Sequence, residues 1–500
     1  MLDKPNVVLS LASSYNIRGN TAFTDTFTNG LDQRKINSIY RPVQNAITGK
    51  NTLYLCKRPG VAVSSDSFGD SGQVGYLVVL KPGYTSQAND QMWVFSVSGN
   101  DIRVSDSAGT TTIVTAAGYI PAHWDVTSIS GTDTGILQIR NSSQAQRFFY
   151  ASTRASWTEI TDAEFAALTI RGRMENMDGY VFVLDSMNRI YNSDLNSISS
   201  WGASNYITKQ IKQDDANTLA EFKSQLIAAG TSTFEVFVNA GNPTGSPLRS
   251  VKELSQDYGI LRPAATGGNT AVLLGDFLYF VGRPGNAAFS IGLFAWNGSR
   301  VERVSTPSIE AIISQNPFSS SFRIFSVGTV FIYGQEAIYI CFTPVSATTQ
   351  TWLMFFPQWK EWFEWTSTVF SPVNNGSAFL GVGSNQHKIY NMLNISGNSF
   401  QDAGTDYTWT HQFQLPSDGN QRKFMPYLGL KGDTARSAQA ITVEKSDDDY
   451  QTFQTLGTID MTGKQKRLVR CGSYEGARVI RLSHSGNTEV RLSQFLARIT

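Results

Sequence analysis

Four histidines, His123, His387, His411 and His484, are the side chains best suited to proton transfer or metal ligation at neutral pH, and each stands alone in this 500-residue chain. No HExxH sets two of them on one helical face, and no GxSxG offers an elbow serine. Cys56, Cys341 and Cys471 lie far apart without CxxC or CxH spacing, so they read as buried thiols of a reducing compartment rather than a zinc site or a disulfide framework. The run TGGNTAVLLGD (266–276) lacks the Lys and Ser/Thr of a phosphate-binding loop, which makes Gly267 and Gly268 turn residues. The reading names no catalytic, cofactor-binding or metal-ligating residue and expects no cofactor.

Carboxylates are the remaining route to catalysis. An Asp-box turn places Ser, Asp and Gly before an aromatic residue, and SDDDYQTF (446–453) matches it through Ser446, Asp448, Thr452 and Phe453, with Tyr450 where glycine is expected. Such turns shape hairpins and carry no catalysis. Glycoside hydrolysis needs two carboxylates facing one bond, a pairing that only a fold can supply. A carbohydrate-binding or depolymerase propeller is therefore kept as the alternative function.

The other concentration of chemistry is cationic. Arg18, Arg34, Lys35, Arg41, Lys50, Lys57 and Arg58 interleave with Tyr15, Tyr40 and Tyr54 and close on the turn KRPG, against only Asp25 and Asp32. The whole chain carries 41 Lys and Arg against 40 Asp and Glu, a net charge of +1 that provides no global attraction for nucleic acid or an acidic membrane. Arg18, Arg34, Lys35, Arg41, Lys57 and Arg58 are the candidate subunit-interface or channel cations, and flanking strand-like segments favour a subunit interface. No apolar run is long enough to cross a membrane and no signal-peptide pattern opens the chain, so the expectation is a protein made in the cytoplasm without a membrane anchor.

What must position these residues is strand. From about residue 74, short runs rich in Val, Ile, Phe, Tyr and Trp alternate with Gly, Asn, Asp and Ser, and their starts recur every 40 to 60 residues. The reading is mainly β: an N-terminal arm (1–70), a β-propeller of six or seven blades (71–398) and a C-terminal antiparallel β-sandwich (399–500). Trp157, Trp201, Trp296, Trp359, Trp362 and Trp365 are placed between neighbouring sheets. Three short helices are expected as insertions, at 161–171, 216–230 and 307–315, the second from Leu219, Phe222 and Leu226 at helical spacing with Gly230 as its cap. The last strands carry Arg467, Arg470, Arg478, Arg481, Arg491 and Arg498, read as an outer face.

The arm ending in KRPG, and the central run through Thr233, Glu235, Phe237, Gly259, Ser308, Ile309 and Glu310, resemble the tail hub or nozzle proteins of short-tailed bacteriophages, which include packaged-DNA stabilization proteins. The resemblance implies a non-enzymatic virion protein of the tail. It further implies a homo-hexameric ring below a portal-side adaptor, forming the lower tail channel, retaining packaged double-stranded DNA and conducting it without sequence specificity. Tail fibres or spikes and a needle or tip would attach to it. An arm too polar to fold alone suits ordering on assembly, and a nearly neutral subunit suits a conduit through which DNA slides.

Overall fold

The computed structural model describes residues 7–10, 33–44, 51–67, 73–83, 92–129, 131–143, 145–211, 214–261, 270–286, 291–315, 322–344, 350–367, 369–374, 379–383, 388–393, 399–415, 421–433, 440–448, 450–462 and 467–500. Five strands come from the N-terminal segment: β1 (Val7–Ser10), β2 (Gln33–Ile36), β3 (Ser38–Gln44), β4 (Asn51–Lys57) and β5 (Ala62–Ser67). Seven antiparallel sheets follow, at 73–115, 119–159, 170–208, 218–250, 258–303, 322–367 and 369–391. Among the described residues these seven sheets are the blades of a β-propeller. β5 supplies the outermost strand of the seventh blade, pairing with Lys388–Asn391, so the first and last parts of the propeller close on each other. Val369–Asn374 of that blade packs beside Gln73–Leu80 of the first and completes the ring.

The blades are held together by apolar seams. Trp93, Trp124 and Trp157 interlock between blades 1 and 2 with ring centroids 5.4 to 6.3 Å apart. Trp201 packs on Phe165 of the preceding connection at 4.6 Å, and Trp296 of blade 5 on Phe222 and Phe234 of blade 4. Offset and edge-on aromatic pairs of this kind add to the gain from area burial. Trp362 packs on the seam between blades 5 and 6, whereas Trp359 and Trp365 point the other way, into the core shared with the sandwich.

One expected helix is a hairpin. Residues 216–230 form the first two strands of blade 4, Thr218–Phe222 and Gln225–Ala229, with Leu219 opposite Ala228 and Ala220 opposite Ile227. Both faces of an inner blade strand are covered by neighbouring blades, so the period-2 alternation vanishes and apolar residues fall at helix-like spacing by coincidence. Lys223 and Ser224 turn the corner with φ of 48° and 60°, the geometry of a two-residue hairpin turn reached here without glycine. The 161–171 segment is helical only over α1 (Ala163–Ala166), capped by Asp162, before the third blade begins at Ile170. The third expectation holds as α2 (Pro307–Gln315).

Most of the remaining strands build two facing sheets, beside two-stranded pairs at Gln401–Asp402 with Thr405–Asp406 and at Lys423–Phe424 with Ser473–Tyr474. In one, β3 and β4 continue through Arg491–Arg498 to Tyr427–Gly432 and Arg467–Val469, with β1 also on Arg491–Arg498. In the other, Trp409–Gln414, Val479–His484, Ile441–Ser446 and Gln454–Ile459 lie in order, and β2 joins them to the outer strand of blade 6 in a nine-stranded sheet. β2 runs antiparallel to Trp409–Gln414 and parallel to Glu361–Ser367. A single apolar cluster spans blades 6 and 7 and both sandwich sheets. The hairpin tip of blade 6 reaches into it through buried Ile332. Among the described residues, no helix is long and apolar enough to cross a membrane.

Candidate functional site

The candidate cations Arg34, Lys35, Arg41, Lys57 and Arg58 converge on the junction where β2, β3 and β4 meet blade 6 and the sandwich. Asn37, between β2 and β3, turns the chain from one sheet into the other with φ at 53°. Its side chain is fully used: Nδ2 donates to Thr366 Oγ1 and the Thr408 carbonyl, while Oδ1 accepts from Arg58 Nε and the Thr366 amide. Asparagine tolerates the left-handed region better than most residues, and here its amide also fills the corner.

Arg58 is the centre of this junction. It is 1% exposed, and all five of its N–H groups have acceptors. Nε donates to Asn37, Nη1 to Asp402 and the Pro59 carbonyl, and Nη2 to Asp402 and the Thr366 carbonyl. The guanidinium lies 3.9 Å from the Tyr407 ring centroid, and the Tyr407 hydroxyl donates to the Arg58 carbonyl. Burial opposes the charge, but Asp402 outweighs it and holds the guanidinium protonated more firmly than usual. Lys57 is also buried, over the same Tyr407 ring at 4.2 Å, with Nζ donating to the Gly486 carbonyl. Burial, reinforced by Arg58, pushes its pKa down to about 8. The glycine of KRPG is set by contact: a Cβ on Gly60 would stand 2.3 Å from the Gln401 carbonyl oxygen.

The other cations find carboxylates on distant strands. Arg34 grips Glu364 with two hydrogen bonds of 2.6 and 2.7 Å, and Lys35 pairs with Glu361 at 2.6 Å and donates to the Tyr40 hydroxyl. Burial lowers the Lys35 pKa, yet Tyr40 and Glu361 together raise it on balance. Arg41 meets Glu489 at 3.0 Å and stacks on Tyr333. The sequence singled out the cations but not Glu361, Glu364, Asp402 or Glu489; the alternation of acid and aromatic in KEWFEW was the available hint. Lys35, Lys57 and Arg58, buried and paired within one chain, act here as internal ties. Arg18, Lys50, His387, Gly267 and Gly268 lie outside the described residues.

A second charged group, missed in the sequence, sits on the first strands of blades 2, 3 and 4. Arg173 pairs with Glu175 and donates to the Leu219 carbonyl, and Asn176 holds Asp125 at 2.7 Å. Burial, with Asp125 adding to it, pushes the Glu175 carboxyl up to about 8, and burial also raises Asp125 and Glu221. His123 beside them is driven down to about 3 by burial and then by Arg173. This group can hold a proton near neutral pH. Among the described residues, no cluster of three or more His, Cys, Asp or Glu could hold a metal ion.

The Asp-box-like turn is structural. Ser446 donates to Asp448 and accepts from the Tyr450 amide, Asp448 accepts from the Thr452 amide and hydroxyl, and Tyr450 takes φ of 68° at the glycine position. Of the late arginines, Arg478 is buried on Asp447, Arg481 pairs with Glu444, and Arg491 with Asp433 and Glu489, so these three tie the sandwich rather than present an outer face.

A family model described as "Bacteriophage P22 Gp10, beta-propeller" matches residues 45–320. Among solved structures, the crystal structure of the WD40 beta propeller domain of Doa1 is similar at 12% identity and a TM-score of 0.36, over 66% of this chain and 97% of that one. No curated protein matches the sequence.

Proposed function

The chain belongs to the phage family of P22 Gp10, the packaged-DNA stabilization β-propellers, and on that premise we propose that it is a tail hub or nozzle subunit of a short-tailed phage. The family match over residues 45–320, which takes in the first five blades, is the observation that carries this reading. In the proposed role, copies form a six-fold ring below a portal-side adaptor, line the lower tail channel, retain the packaged duplex and release it at ejection. Fibres or spikes and a needle or tip attach to the same ring.

The architecture supports a mechanical part. Among the described residues, blades 6 and 7, the N-terminal strands and the sandwich share one apolar cluster, and β2 joins blade 6 to the sandwich in one nine-stranded sheet, so force applied to one passes to the other through packed strands. The balanced net charge of +1 keeps DNA from being gripped during passage.

Purified particles should contain this chain in the tail, in the stoichiometry of a single ring, as measured by quantitative mass spectrometry and antibody labelling. The purified chain should leave host polysaccharide intact. Turnover that vanishes on Glu175→Gln would replace the structural reading with the depolymerase one.

A further inference from the structure

The seam between blades 5 and 6 is closed along its middle and open at one end. In the closed part, Val327 and Ile338 of blade 6 pack on Tyr279 and Ala295 of blade 5. Alternate side chains of a strand share a face, and register partners stand side by side on it. Phe331 therefore continues the face of Val327, and its partner Glu336 continues that of Ile338. Across the seam, Tyr279 pairs with Ala295 and Ala295 with Glu302, so Glu302 also looks toward blade 6. Phe331, Glu336, Tyr279 and Glu302 thus border the same gap.

These groups are left incomplete by the fold. Phe331 is 52% exposed at the end of a seam that elsewhere covers its aromatic rings. Tyr279 is 7% exposed and its hydroxyl makes no hydrogen bond among the described residues, yet the oxygen is not sealed from solvent. Burial, and then Glu302 and Glu336, hold that hydroxyl protonated above its ordinary range, so both carboxylates lie within electrostatic reach of it. Glu336 is exposed, and its side chain has no ion pair or hydrogen bond among the described residues. Glu302 is met by Arg300 on the same hairpin, a pair open to solvent on both sides and therefore weak. The mouth of the gap offers two carboxylates, a phenolic oxygen and a phenyl ring.

We propose that this mouth receives an arginine or lysine side chain of a different virion protein, with its charged end donating to Glu302, Glu336 and the Tyr279 oxygen and its aliphatic stem lying on Phe331. A long cation has the two parts the site asks for, an apolar stem and a charged tip. Carboxylates repel a phosphate backbone, which sets nucleic acid aside. Arg34, Arg58, Arg478 and Arg491 are spent on carboxylates of this chain, which points to another chain as the source of the cation. The inference deepens the structural reading and rests on it only for the partner being a protein of the same particle.

Photocrosslinking tests it in the assembled particle. With benzoylphenylalanine in place of Phe331, irradiated particles should yield a link to a second virion protein, in a peptide that carries Arg or Lys beside the linked residue. Tyr279→Phe deletes only an oxygen that bonds nothing within the chain, so the isolated variant should melt with wild type. Combined with Glu336→Gln, it should lower incorporation of the linked protein by about tenfold, a loss typical of an interface anchor. In solution, N-acetyl-arginine amide should show saturation transfer from the wild-type chain to its side-chain methylenes, weakened in the Glu302→Gln, Glu336→Gln double variant. No crosslink, or one to DNA, to another copy of this chain or to a peptide without a cation, would overturn the proposal. So would equal saturation transfer in the two chains, or a Tyr279→Phe chain that melts several degrees low, because the hydroxyl would then serve the fold. Absence of the wild-type chain from particles would sink the tail reading while leaving the solution result standing.

Discussion

The seams between blades and the junction at Asn37 and Arg58 solve the same problem, joining sheets, with opposite chemistry. The seams are aromatic and aliphatic, and, apart from the closure of blade 7 on blade 1, they join blades that follow one another in the chain, as with Phe222 and Trp296 or Trp93 and Trp124. The junction is polar and spans the chain: Arg34 to Glu364, Arg58 to Asp402, Arg41 to Glu489. Apolar seams tolerate imperfect geometry because dispersion and burial are non-directional. Buried ion pairs do not, since one missing partner leaves an uncompensated charge. A repeated unit can be stacked on grease, whereas a unique connection between propeller and sandwich needs a directional key.

That contrast can be broken or sharpened by substitution. Arg58→Ala should have the largest effect, about 3–5 kcal/mol in urea unfolding, because it strands Asp402 and empties the corner around Asn37. Hydrogen exchange in that variant should rise together in β3, β4, blade 7 and the sandwich. Trp296→Ala removes a ring with 0% exposure and should cost about 3 kcal/mol, with faster exchange confined to blades 4 and 5. If Trp296→Ala loosened the sandwich as well, the division into local seams and a global key would fail. Gly60→Ala should lose about 1–3 kcal/mol by pushing the Gln401 strand away.

The charged group on blades 2 to 4 gives a pH signature. The folded chain holds a proton on Glu175 up to about pH 8, while the unfolded chain releases it in the ordinary carboxylate range, so stability falls as pH rises between those two values. Glu175→Gln should flatten that slope, gaining most on wild type near the upper end of the window; an unchanged slope in a melting series across pH would refute the assignment. Lys57, pushed down to about 8, acts in the opposite sense and only above that value, where deprotonation of the folded chain precedes that of the unfolded one. The smallest effect belongs to the partly exposed Arg34–Glu364 pair, whose coupling in a double-mutant cycle should stay below about 1 kcal/mol.

The sequence made the propeller legible because each blade is a local object: alternating runs and turn residues report hairpins directly. Blade 4 shows the limit, since strands covered on both faces lose the alternation that separates them from helix, and Leu219, Phe222 and Leu226 mimic a helical stripe. The junction was half visible. Lys57, Arg58 and Gly60 stood out as a cluster, but Asp402 lies 344 positions from Arg58 and nothing local marks it as the partner. β5 as the closing strand of blade 7, and β2 as the seam between blade 6 and the sandwich, were invisible for the same reason: pairing partners at the opposite end of the chain leave no periodic trace.

The central claim is that this chain seals and conducts a packaged genome, and the direct measurement is DNA retention in particles assembled without it. Heads that fill and then leak, with retention restored by supplying the wild-type chain, are the predicted result. Heads that stay full and merely fail to attach to cells would contradict the account and move the protein to a receptor-binding or polysaccharide-degrading role.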